Sequence, residues 1–268
     1  MKLRNDSSTD RRRRFLQDCG ASLIGLGAGY DIRKYAPKYL VRPVFQNSVT
    51  KYSKTTDVQN KLIKEKLCEL LGKINSKVPE DRKIKIQFID ENFKTENKHL
   101  EAIKKGLNAS FSSKNRTVYL NEKLITPGFH ELAHAKDYLR GFLPAAQKAS
   151  KYGGRIFSLI FPVFAVFSKN KREKADKPLN MLDKTTNFIR NNIGKLTFLA
   201  FVPKLATETS ANFQGNKFAK EAKLPPEILK IIRKTHRLSN LSYLSGALIM
   251  ALSSTIAVKI KDILASKD

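Results

Sequence analysis

The segment His130-Glu131-Leu132-Ala133-His134 places two imidazoles four residues apart, with a carboxylate beside the first. On a helix, residues at i and i+4 lie one above the other, so both rings reach one ion from a single face. Zinc takes nitrogen and oxygen donors in tetrahedral geometry, and a catalytic site keeps one position for water. Glu131 stands where its carboxylate can take a proton from a water the ion has acidified and hand it to a leaving amine. The chemistry is hydrolysis of a peptide bond. With 4 His in 268 residues, random order gives this pattern an expected count on the order of 0.003.

Two imidazoles need a third protein ligand. No His follows His134 by about six residues, which excludes the three-His metzincin arrangement; the other histidines are His99 and His236. The better candidate is Glu208, in Leu205-Ala206-Thr207-Glu208-Thr209-Ser210-Ala211-Asn212. Phe213, Phe218 and Ala219 continue an amphipathic helical pattern from there. A helix bringing this one carboxylate to the two histidines completes a His₂Glu set for one zinc. Small Ala211 lets that helix lie close to the first, and Asn212 can hydrogen-bond a ligand imidazole from behind.

The elements that must position these residues follow from periodicity. Val58, Leu62, Ile63, Leu67, Leu70, Leu71 and Ile74 recur at helical spacing over 57–78, with Thr56 or Asp57 as cap. The alternation Lys83-Ile84-Lys85-Ile86-Gln87-Phe88-Ile89 reads as a half-buried strand, and a short helix is expected over 98–107. Ala109 to Phe111 and Thr117 to Leu120 flank a polar stretch, which reads as a β-hairpin. Thr126 as cap and Pro127 at the first helical position open the His130 helix, which should end near Gly141, before Pro144. The fold class is α+β, mainly α: a small sheet, the His130 helix, the Glu208 helix and apolar helices.

The chain divides on this reading into a basic lead-in over 1–50, a peptidase domain over 51–235 with an apolar helical hairpin near 153–206, and an apolar C-terminal helix over 236–268. The apolar runs 156–167 and 196–202 are short, nearer 18 Å than the roughly 30 Å of a bilayer core. Leu238 to Val258 carries no formal charge over a length that can span, flanked by Lys234, Arg237, Lys259 and Lys261. Arg11 to Arg14 followed by Phe15, Leu16 and a small-residue stretch resembles a twin-arginine export signal.

The 51 Lys and Arg against 24 Asp and Glu give a formal charge of +27, which suits an anionic membrane surface or nucleic acid. No zinc-finger spacing, Gly-rich phosphate loop or basic–aromatic interleave supports nucleic acid. Several lysines sit beside apolar runs, as expected of a protein lying on anionic lipid. Cys19 and Cys68 make neither a metal cluster nor a disulfide framework.

The stretch Gly106-Leu107-Asn108-Ala109-Ser110-Phe111, then Thr117-Val118-Tyr119-Leu120, then His130 to His134, then Glu208-x-x-Ala211-Asn212, resembles the HtpX-like and CAAX-prenyl-protease group of membrane-linked gluzincins. The resemblance covers about residues 57–222. That group usually carries Asp where this chain has Asn212. The resemblance implies a zinc endopeptidase with a zincin-type core acting on peptide or protein, and an antiparallel sheet whose edge strand pairs with extended substrate; from the residues themselves, Asn108 to Phe111 or Thr117 to Leu120 could provide that edge. It also implies a transition-state stabiliser downstream of Glu208, for which His236, Arg237 and Tyr243 carry suitable donors. The alternatives are a basic nucleic-acid-binding protein and a catalytically inactive membrane scaffold with a peptidase-like fold.

Overall fold

The structure is a computed structural model that describes residues 6–46, 51, 53–106, 109–141, 145, 160–168 and 178–265. Contacts divide the chain into two compact units: Met1–Tyr39, Ala149–Val202 and Ser245–Asp268 in one, Leu40–Lys148 and Pro203–Leu244 in the other. The helices α1 (Asp6–Ala36), α2 (Asp57–Asn75), α3 (Lys98–Lys104) and α4 (Gly128–Leu139) are joined by α5 (Phe161–Phe167), α6 (Met181–Asn191), α7 (Ile193–Glu221) and α8 (Pro226–Ala265). Three strands, β1 (Lys85–Ile89), β2 (Ser110–Ser112) and β3 (Thr117–Asn121), make one sheet in the order β1-β3-β2.

In the sheet-bearing unit, α2 opens with a capping box. The Thr56 side chain accepts from the Gln59 N–H at 3.2 Å, and Gln59 returns a bond to the Thr56 N–H at 3.0 Å. Asn75, at the end of α2, bonds both the N–H and the C=O of Ile84 and so fixes the approach to β1. β3 is buried along its whole length and its faces alternate. Val118 and Leu120 join Ile63, Leu67, Phe129, Leu132, Ala211 and Phe218 in the main core, while Tyr119 turns to Ile89 and Ile103.

The hairpin is present: β2 and β3 are antiparallel, with Phe111 opposite Val118. The sheet itself is mixed rather than antiparallel, because β1 runs parallel to β3, with Ile86 opposite Val118. A parallel neighbour needs a crossover, and α3 lies on that crossover. Asn121 pins it, donating to the Ile103 and Lys104 carbonyls at 3.1 and 2.8 Å. β3 is therefore the central strand, so Thr117 to Leu120 offers no edge; β1 and β2 are the edges.

The other unit departs further from the sequence reading. Residues 6–36 are one helix rather than an irregular lead-in. A Cβ on Gly25 would collide with the Ala257 carbonyl, so glycine lets α1 lie against α8. Ser22 donates to the Val166 carbonyl at 3.3 Å, and Arg33 donates to Ser253 and Ser254, each at 2.8 Å. Buried Arg190 ties α6 to the carbonyls of Ala165 and Ser168 and to Asp262. α8 is a single helix of 40 residues, so the boundary expected at 236 falls inside it. It is the one helix among the described residues long and apolar enough to cross a membrane. Of the apolar hairpin near 153–206, α5, α6 and the start of α7 are described. Residues 153–159, the basic loop at 169–174, Leu107, Asn108 and Pro144 lie outside the described residues.

Leu67 is fully buried between the sheet and α4. Leu67→Ala should destabilise the protein by about 2–5 kcal/mol, read by chemical denaturation. A change below about 1 kcal/mol would show that this core is not packed as described.

Candidate metal centre

α4 begins without a side-chain cap. Pro127 takes helical angles and its carbonyl receives the N–H groups of His130 and Glu131 at 3.0 and 3.1 Å. The expected cap, Thr126, turns its hydroxyl to the Ser53 carbonyl instead, at 3.3 Å.

The helical spacing brings the His130 and His134 rings to 4.5 Å between centroids, with their planes at 88°. Glu208 on α7 completes the group. Its Oε2 lies 3.3 Å from His130 Nε2 and 3.4 Å from His134 Nε2, and the ligand atoms of all three residues fall within 4.8 Å of one another. Glu208 Oε2 is buried and has no aligned hydrogen-bond donor despite that closeness. Atoms bound about 2.05 Å from one tetrahedral ion are separated by about 3.3 Å. The spacing and the orphaned oxygen therefore fit a tetrahedral metal ligand set.

The tautomer fits as well. His130 Nδ1 lies 2.8 Å from Asn212 Oδ1, which can only accept, so the ring proton sits on Nδ1 and the Nε2 lone pair faces Glu208. Burial alone would raise the Glu208 carboxyl, but the two imidazoles outweigh it and hold the group well below the ordinary carboxylate range. For His130 burial opposes protonation, yet Glu208, Glu131 and Asn212 outweigh it and raise the imidazole above its usual value.

Glu131 stands outside the three-residue group. Its Oε2 accepts from the Phe111 N–H at 2.7 Å, so the outward side of edge strand β2 meets the carboxylate. Tyr243 on α8 stands near the Glu208 and Glu131 carboxylates, and Lys204 Nζ lies 5.1 Å from the Tyr243 ring centroid.

His236, which the basic stretch around it suggests is solvated, is buried. Its Nδ1 pairs with Asn216 Oδ1 at 2.9 Å, and its ring lies 5.8 Å from that of His130. It stands outside the three-ligand group. Arg237 is exposed, and His99 reaches Ser110 at 2.8 Å on the surface.

Two residues here carry no sequence signal that spacing exposes. Asn240 accepts from Asn212 Nδ2 at 2.5 Å. Gly215 sets how closely α7 approaches α4, since a Cβ there would lie 3.0 Å from the Phe129 carbonyl and 3.1 Å from the His130 nitrogen. Ala211, expected to allow that approach, is buried in the core beside it. Comparison of the chain with family models, with curated proteins and with solved structures finds no match.

Gly215→Val should push α7 from α4, lowering stability by about 1–3 kcal/mol and weakening metal retention. Thermal unfolding and zinc titration read the two effects; unchanged values in both would mean the helix approach does not hold the ligands.

Proposed function

We propose that the chain is a zinc-dependent endopeptidase of the gluzincin type, associated with a membrane. The observation that carries this reading is the spacing of His130 Nε2, His134 Nε2 and Glu208 Oε2, at 3.3 and 3.4 Å about an otherwise unpartnered oxygen. These three residues would hold the ion, and Asn212 orients His130. Bound there, zinc acidifies water and polarises a carbonyl.

The remaining roles fall to the chain itself. Glu131 is the general base: it accepts a proton from the attacking water and returns it to the leaving amine. The Phe111 N–H keeps that carboxylate oriented. An extended peptide can add to the edge of β2 by main-chain pairing, taking up the Phe111 backbone groups beside Glu131. Tyr243, near the Glu208 and Glu131 carboxylates, is the donor best placed to meet charge developing on the scissile carbonyl oxygen. His236 pairs with Asn216 and serves the packing behind His130.

Membrane association is supported by the distribution of polarity in the helical unit. Its interior holds polar groups beside a small apolar cluster around Val166, Ile193 and Val258: Ser22, Thr197, Ser253 and Ser254 are buried, and Arg33 and Arg190 bond inward. Large apolar side chains point outward instead, among them Leu23, Ile24, Phe164, Leu199, Leu248 and Leu252. Polar groups inside and apolar ones outside suit a hydrocarbon solvent. The net charge of +27 adds attraction to anionic headgroups. The glycine-rich segment after Arg11–Arg14 belongs to α1, within this unit.

Two experiments test the reading. Glu131→Gln should keep zinc and fold while hydrolysis of casein falls about 10²–10⁴-fold; hydrolysis at the wild-type rate would exclude this mechanism. The protein should stay in the membrane pellet through a high-salt wash and leave it only with detergent, whereas release by salt would mean surface attachment without insertion.

A further inference from the structure

We propose that Asn240 is a positioning residue for the metal site, fixing which end of the Asn212 amide faces His130. The inference rests on the zinc reading above. An asparagine amide is nearly symmetric in shape, so only its partners decide whether oxygen or nitrogen points a given way. Asn212 is 3% exposed, and solvent does not make the choice.

The choice matters chemically. With Oδ1 toward His130, as found at 2.8 Å, the ring carries its proton on Nδ1 and offers the Nε2 lone pair to a metal. With the amide turned over, Nδ2 would donate to Nδ1, the proton would move to Nε2, and the ligand position would be blocked. Asn240 Oδ1, 2.5 Å from Asn212 Nδ2, demands the amide's donor end and so leaves its oxygen for His130. The chain Asn240–Asn212–His130 links α8, α7 and α4 within one unit. Asn240 also sits in the uncharged run 238–258, where a polar side chain costs free energy unless it is used.

The test measures apparent zinc affinity by chelator competition, with thermal unfolding as a control for fold. Asn240→Leu removes the acceptor and should weaken zinc about 10-fold or more. Asn240→Asp keeps an acceptor in place and should bind close to wild type. In an Asn212→Asp background the side chain presents oxygen at either end, so adding Asn240→Leu should change affinity little.

Wild-type affinity in Asn240→Leu would overturn the proposal, as would an equal loss in both backgrounds. If Asn240→Leu does not fold, Asn240→Ala, which removes the same acceptor without adding bulk, decides: wild-type affinity overturns the proposal, and a loss of about 10-fold that Asn240→Asp does not share supports it. His134→Ala separates the two levels. If it binds zinc as well as wild type, the zinc site itself is wrong; if it loses zinc while Asn240→Leu keeps it, only the role of Asn240 falls.

Discussion

Two imidazole nitrogens and a carboxylate oxygen held within 4.8 Å of one another, mostly out of water, are an expensive arrangement. Glu208 Oε2 lies 3.3 and 3.4 Å from the two imidazole nitrogens and has no aligned donor among them. Folding therefore has to impose the geometry from outside. α4 is fixed through Phe129 and Leu132 in the core, and α7 through Ala211 and Phe218 in the same core. Gly215 permits the two helices to approach until backbone atoms nearly touch. The ligand spacing is a consequence of that packing.

The same constraint explains the polar groups around the site. Several side chains near the group are held by a named partner: His130 by Asn212, Asn212 by Asn240, His236 Nδ1 by Asn216, and Glu131 by the Phe111 N–H. A buried polar network of this kind specifies orientation when its members are satisfied. The two carboxylates face different partners. Glu208 faces the imidazoles, whereas Glu131, one residue from His130, faces the edge of the sheet.

Much of this site was legible in the sequence because it depends on local geometry. The i, i+4 histidines must share a helix face, and Asn212 falls one turn beyond Glu208 on the same face. Asn240 and Gly215 were not legible, since their importance arises only from the meeting of separate helices. The sheet shows the same division. Alternation located β1 and the hairpin, but the parallel pairing of β1 with β3 depends on the crossover through α3, which period-2 patterning does not encode. For residues 6–36, weak periodicity suggested irregular chain; the helix instead packs by its glycines against α8 and turns its apolar side chains outward. A segment with polar groups inside and apolar groups outside reads poorly on rules framed for water-soluble cores.

The most direct test of the central claim is X-ray absorption at the zinc edge on purified protein supplied with zinc. The account predicts a first shell of nitrogen and oxygen at about 2.0–2.2 Å, with imidazole scattering that halves in His134→Ala. A sulfur shell at about 2.3 Å, or a spectrum of hydrated zinc with no imidazole, would contradict it.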